Sequence, residues 1–295
     1  MTSCLKLISL AMKNDNSSVL HYVQAGNPNN HNPTMIFIHG WPDDEKLWSY
    51  QMNTGGLSDN YYCCALRLPN SSTNNNKFNS FPDMVKLIHN TIKIIQKKRL
   101  KESEKIILVG HDWGAHLCYL IEREYPDIVS KLITIDVGYD ISFSFTDMLV
   151  TIMYQFYLAL AYCIGLFIPF IGTMLVRAFA SLCQIGQGTP TSLNRINCYS
   201  AHFYAYFHAA MWFRINYSST ILNNYKPLCP ILFIYPTGKR GMTPVFHSNK
   251  MLIDIHTRKD NSSVVEIKNA GHWVVHHQAS TITSKINYWL NEYQN

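Results

Sequence analysis

The chain carries Gly110-His111-Asp112-Trp113-Gly114 directly after the apolar run Ile106-Ile107-Leu108-Val109 and directly before Ala115-His116-Leu117-Cys118-Tyr119-Leu120. A buried strand that enters a tight turn with glycine at both ends and leaves as a helix is the corner that presents a reactive side chain at the top of a parallel sheet. Serine is the familiar middle residue of such a corner; here it is Asp112. A carboxylate in that place attacks an sp³ carbon to give an alkyl ester, and it is a poor acyl acceptor for ester or peptide cleavage. The chemistry narrows to alkyl transfer onto Asp112 followed by hydrolysis. The plainer alternative is an aspartate that caps the start of a helix.

With 295 residues, 47% of them hydrophobic and 15% charged, the chain suits one large α/β domain carrying an insertion. The net charge of +6 comes from dispersed Lys and Arg, with one cluster at Lys97-Lys98-Arg99-Leu100-Lys101. That cluster suits a helix C-terminus, where cations meet the dipole, so no nucleic-acid partner is expected. Eight cysteines, among them Cys63-Cys64, Cys118 and Cys163, lie in apolar runs without metal-ligand spacing. They read as reduced core residues of a cytoplasmic protein, and neither metal nor cofactor is expected. Cys4 to Leu10 alternates like a strand and pairs with Val19 to Val23 as a hairpin, which predicts a fold that starts at once, with no cleaved leader.

Strand signals then alternate with helical ones. Met35 to Ile38, Tyr61 to Leu66, Lys131 to Ile135, Pro230 to Tyr235 and Ser263 to Ile267 are short apolar runs, and Phe81 to Lys97 has helical spacing. That alternation predicts a mostly parallel sheet with helices on both faces, and its reactive groups belong beyond the carboxyl ends of the strands. Two more strand ends carry chemistry. His39-Gly40-Trp41-Pro42 follows Phe37-Ile38 and is able to aim the Trp41 backbone N–H at a developing oxyanion, with the Trp113 N–H as second donor. Asn269-Ala270-Gly271-His272-Trp273 follows the last strand, where His272 is placed to activate water.

Taken together, His39-Gly40-Trp41-Pro42, Gly110-His111-Asp112-Trp113-Gly114 and Gly271-His272-Trp273 resemble the α/β-hydrolases of the epoxide hydrolase and haloalkane dehalogenase branch. The resemblance implies the α/β-hydrolase fold, with a core formed by residues 1–140 and 218–295 and a helical cap over 141–217. It implies Asp112 as nucleophile, His272 as base, and His39, Gly40, Pro42, Gly110, His111 and Gly114 as the supporting turns. Trp41 resembles the aromatic of epoxide hydrolases more than the polar halide-binding residue of dehalogenases. In that family two cap tyrosines protonate the epoxide oxygen. Tyr154-Gln155 is similar to the first of these motifs, while Trp212-Phe213-Arg214 has phenylalanine where the second tyrosine stands. Tyr157, Tyr204 and Tyr206 are the substitutes, and Gln155, Tyr157, Phe213 and Trp273 are expected to line the substrate pocket.

The position usual for the triad acid is also altered, since Pro236 to Met242 contains no carboxylate. Some relatives place the acid at the end of the strand after the nucleophile helix, where Asp136 stands, with Asp140 second. A carboxylate at a strand end that merely binds backbone N–H groups is the structural alternative. From Met148 to Val176 no residue is charged. That stretch is long enough to span a bilayer, but Gly165, Pro169 and Gly172 interrupt it, and a span there would divide the sheet. A greasy cap that lines an apolar pocket, touches a membrane surface or joins a second copy is the expectation. Hydrolysis of a small, lipid-like epoxide is the leading function; a binding protein without turnover and a dehalogenase remain as alternatives.

Overall fold

The computed structural model describes residues 6–8, 19–29, 31–69, 80–99, 101–183, 192–238 and 244–292. Eight strands, β1 (Lys6–Ile8), β2 (Tyr22–Ala25), β3 (Thr34–Ile38), β4 (Tyr62–Leu66), β5 (Ile106–His111), β6 (Val129–Ile135), β7 (Ile231–Pro236) and β8 (Ser263–Ile267), form one sheet in the order β1-β2-β4-β3-β5-β6-β7-β8. The hairpin β1–β2 is antiparallel, as is β2 on β4; every pairing from β4 through β8 is parallel. The helices are α1 (Phe81–Lys98), α2 (Trp113–Glu124), α3 (Phe145–Phe167), α4 (Pro169–Leu182), α5 (His202–Phe213), α6 (Tyr217–Thr220), α7 (Asn249–His256), α8 (Val274–His277) and α9 (Ala279–Glu292).

The central strands are buried along their whole length, as parallel strands covered on both faces must be. Alternate residues feed two separate layers. Ile36, Ile38 and Leu108 join the layer under α1 and α2, whereas Met35, Phe37 and Val109 meet Trp48 and the α9 residues Ile282, Ile286 and Trp289. Each such fully buried aliphatic side chain contributes about 1.5–3 kcal/mol. Helix α1 starts on a capping box between Ser80 and Asp83 and ends at Lys98 with Arg99 as its cap, as the basic cluster predicts.

Helices α3 to α6 fill the connection between β6 and β7 and lie beyond the carboxyl ends of the strands. The apolar run breaks at one of the three residues expected to interrupt it: α3 stops at Phe167, Ile168 turns, and Pro169 opens α4, while α3 runs through Gly165 and α4 through Gly172. A Cβ on Gly172 would stand 2.4 Å from the Gly165 Cα, so the two helices cross with their backbones in contact. One expectation is corrected: Cys63, Cys64 and Cys118 are buried, but Cys163 lies on the exposed side of α3, because that face is apolar without being core.

Candidate active site

Asp112 sits between β5 and α2 with φ 54° and ψ −127°, backbone that L-residues rarely adopt. Glycines on either side make the corner possible. A Cβ on Gly114 would come within 2.0 Å of the Ile38 carbonyl, and one on Gly110 within 2.5 Å of the Gly114 carbonyl. The Asp112 side chain makes no capping bond to α2, which removes the plainer reading. Its Oδ2 instead accepts the Trp41 backbone N–H at 2.8 Å, with the Trp113 N–H also supporting the carboxylate. Gly40 makes this approach possible, since a Cβ there would fall 2.3 Å from Asp112 Oδ2.

Two histidines hold the turns. Buried His39 bonds through Nδ1 to the Gly40 carbonyl at 2.9 Å, while its Nε2 accepts the Leu68 N–H at 3.2 Å. This fixes the neutral tautomer that donates from Nδ1, and burial lowers the pKa of the ring, which keeps it neutral. The Arg67-Leu68-Pro69 corner is thereby structural, and Arg67 pairs with Glu45 beside it. His111 bonds through Nε2 to the His272 carbonyl at 2.8 Å and anchors that loop from below.

The Nδ1 of His272 meets Asp136 Oδ2 at 2.5 Å, and Asp136 is wholly buried. Asp136 reaches it from the end of β6 with φ 71°, its N–H donating to the Ile234 carbonyl at 2.8 Å. Asp140 is bonded to Ser248 instead. Trp273 packs edge-on against the His272 ring at 4.8 Å and donates its indole N–H to Asp43 at 3.3 Å. Burial pushes the Asp112 carboxyl up to about 6; the nearby His272 charge and the Trp113 and Trp41 N–H groups oppose that rise, and Asp136 adds to it. Among the described residues, His111, Asp136 and His272 bring side-chain donor atoms of metal-ligand type within 4.8 Å of one another. This group coincides with the hydrogen-bonded cluster.

Aromatic rings roof the carboxylate. Tyr154 stacks on Phe179 at 5.9 Å and meets Tyr204 edge-on at 6.0 Å; Tyr204 in turn meets Trp41 at 5.6 Å and Trp113 at 5.4 Å. Both phenols are held strongly in their protonated form, by burial first and also by the charge of Asp112. Gln155 is buried and donates to the Tyr154 hydroxyl at 3.4 Å. The expected pocket residues Tyr157 and Phe213 do not belong here. Tyr157 gives its hydroxyl to the Leu175 carbonyl, and Phe213 is 76% exposed at the end of α5. The helical turn of α5 carries Tyr204 inward and the Trp212-Phe213 end outward, an orientation that the motif alone does not specify. Sequence reasoning missed the Trp41 indole bond to Ser200 at 3.2 Å and the Asp44–Arg195 ion pair at 2.7 Å, which tie the roof to the core. Neither pairing leaves a local signal.

This sheet order, the strained aspartate corner and the His–Asp pair beyond the ends of β8 and β6 define a hydrolase architecture. The chain belongs to the alpha/beta hydrolase fold family, which it matches over residues 33–278. It is similar to epoxide hydrolase 1 of Caenorhabditis elegans, 31% identical over 120 residues, covering 40% of this chain and 28% of the relative. It is also similar to epoxide hydrolase 4 of Homo sapiens, 30% identical over 122 residues, 41% of this chain and 32% of the relative. The matched part thus spans about a third of the length of these curated relatives. Among solved structures, the Bacillus megaterium epoxide hydrolase in complex with an inhibitor superimposes with a TM-score of 0.63 at 18% identity, covering 92% of this chain and 96% of that one. A haloalkane dehalogenase variant from Bradyrhizobium elkanii gives 0.66 at 12% identity, covering 93% of each. These likenesses establish the fold.

Proposed function

We propose that the protein is an epoxide hydrolase-like enzyme that opens a small apolar epoxide through an ester on Asp112. The observation that carries this reading is Asp112 on its strained corner, tied through Oδ2 to the Trp41 N–H, beside a buried His272–Asp136 pair. Oδ1 attacks a ring carbon, the C–O bond breaks, and the released oxygen takes a proton from a tyrosine hydroxyl. Tyr154 is the first donor, and Tyr204, on the same side of the site, takes the place of the tyrosine that Phe213 lacks. His272 then removes a proton from water, and the hydroxide attacks the ester carbonyl. The negative charge that develops on Oδ2 falls where the Trp41 and Trp113 N–H groups already point. Collapse expels the ester oxygen as an alkoxide, which takes the proton of the re-formed Asp112 carboxyl to complete the diol, and the proton on His272 returns to the tyrosine.

Trp41, an aromatic after His39-Gly40 where dehalogenases tend to carry a polar halide-binding residue, works against the dehalogenase alternative. The decisive experiment incubates the His272→Ala variant with apolar epoxides and measures intact mass. A substrate-sized adduct on Asp112, missing in Asp112→Ala, is the expected result. Absence of any adduct, with no diol from the wild type, overturns the reading in favour of a binding protein.

A further inference from the structure

The helices over the site turn a continuous apolar surface outward. On α3, Met153, Phe156, Leu160 and Phe167 face out, and α4 adds Phe170 and Met174. The tight Gly165–Gly172 crossing makes Phe167-Ile168-Pro169-Phe170 project as a tip, with Phe167 86% and Phe170 74% exposed. Phe156 stacks on His208 at 4.3 Å and touches Trp212 at 6.3 Å. The surface thereby continues to the exposed end of α5, where Arg214, two residues after Trp212, lies with its guanidinium over the Tyr217 ring at 4.2 Å.

We propose that this face docks on an anionic lipid bilayer, with the tip in the acyl boundary and α3 lying along the surface. Three observations favour lipid over a protein partner. The tip has no hydrogen-bonding side chain, whereas a protein interface has a polar rim. The charged residues of 141–217 are Arg177, Arg195 and Arg214 against Asp147; Arg195 pairs with Asp44 and Arg177 with the Ile196 and Asn194 carbonyls, so exposed Arg214, in a chain of net charge +6, is the cation that this face offers to anionic headgroups. An exposed tryptophan two residues from an exposed arginine at the edge of an apolar patch is the arrangement of a headgroup boundary. The helix does not cross: its mean hydropathy of 1.7 and 23 residues permit a span, but its other side is packed on α5 and carries Tyr154 and Gln155 to the site. The inference does not depend on the reaction.

The test is flotation of the full chain with vesicles of phosphatidylcholine alone or mixed with phosphatidylserine. The wild type floats, more strongly with phosphatidylserine. Replacing both phenylalanines, Phe167→Ser with Phe170→Ser, lowers partitioning by about tenfold per residue. Arg214→Gln removes only the phosphatidylserine increment, roughly fivefold. Both sites are exposed, and matching thermal melts establish that the variants fold. A wild type that stays in solution overturns the proposal, as does a double variant that floats unchanged. A concentration-dependent dimer in sedimentation that the double variant abolishes, without flotation, assigns the face to a second copy and overturns it too.

Discussion

Replacing Asp136 by asparagine separates the two halves of the proposed reaction. Asp136 is wholly buried and meets His272 Nδ1 at 2.5 Å. When His272 takes a proton from water it becomes a cation against that carboxylate. Opposite charges about 4 Å apart at an effective dielectric of about 20 attract by about 4 kcal/mol, which is roughly 10³ in rate. The amide adds a second loss: its NH₂ can donate to Nδ1 and favour the ring tautomer that has no lone pair facing water. The combined loss reaches about 10⁴. Attack by Asp112 uses neither residue, so Asp136→Asn forms the ester at close to the wild-type rate and then stalls. Single-turnover mixing with an acid quench and intact mass resolves the steps. Ester hydrolysis within about tenfold of wild type would refute the role given to the pair. Alkylation falling in step with hydrolysis would show instead that Asp136 supports the Asp112 corner.

The Asp112 carboxyl must be ionised to attack, and burial holds it at about 6. Alkylation in single turnover therefore plateaus above that pH and falls about tenfold per pH unit below it; a flat profile between pH 5 and pH 8 contradicts this. The same shift raises the native value above the unfolded one, so its contribution to stability is full below the unfolded pKa and is lost as pH rises through about 6. Asp112→Asn is accordingly more stable at neutral pH, by about 3 kcal/mol as an order of magnitude, and the gain disappears near pH 3.5 in thermal melts. Tyr154→Phe and Tyr204→Phe each slow alkylation by about 10²–10⁴ while leaving ester hydrolysis intact; an unchanged Tyr204→Phe rate, with wild type active, removes Tyr204 alone from the mechanism. Gly40→Ala drives a methyl group into Asp112 Oδ2 and lowers turnover by about 10² or more. Normal turnover by that variant would mean that the carboxylate does not work from this position.

The sequence exposes what depends on local chemistry. Buried strands, the helical spacing of Phe81 to Lys97 and the glycine-flanked Asp112 corner each leave a contiguous pattern, because backbone conformation and burial are decided within a few residues. Asp136 was legible only as a position at a strand end; its pairing with His272 spans 136 residues and follows from β6 and β8 flanking β7 in the sheet, an order that no local pattern encodes. The roof was the least legible part. Whether Tyr204 or Phe213 faces Asp112 depends on the rotation of α5, and an aromatic run with a weak apolar stripe does not fix that angle. Packing of Tyr204 against Trp41 and Trp113 does.

Burial ties the proposed chemistry to the fold. The Trp41, Trp113, Tyr154 and Tyr204 rings around the site leave Asp112 only partly open to water and make its ionised form costly, which is why its carboxyl rises to about 6. A carboxylate with less of its hydration shell is the stronger nucleophile once charged, and at neutral pH most of it is charged. The Trp41 and Trp113 N–H groups offset part of the desolvation without neutralising the charge, so reactivity survives. The second carboxylate, Asp136, raises Asp112 further, and His272 counteracts it. Loss of the His272 ring therefore does more than remove a base: it takes away a group that holds the Asp112 carboxyl down and leaves Asp136 to raise it, so a larger fraction of Asp112 is protonated. The His272→Ala adduct experiment is best run at pH 8 or above for that reason, where Asp112 stays ionised even without its neighbour.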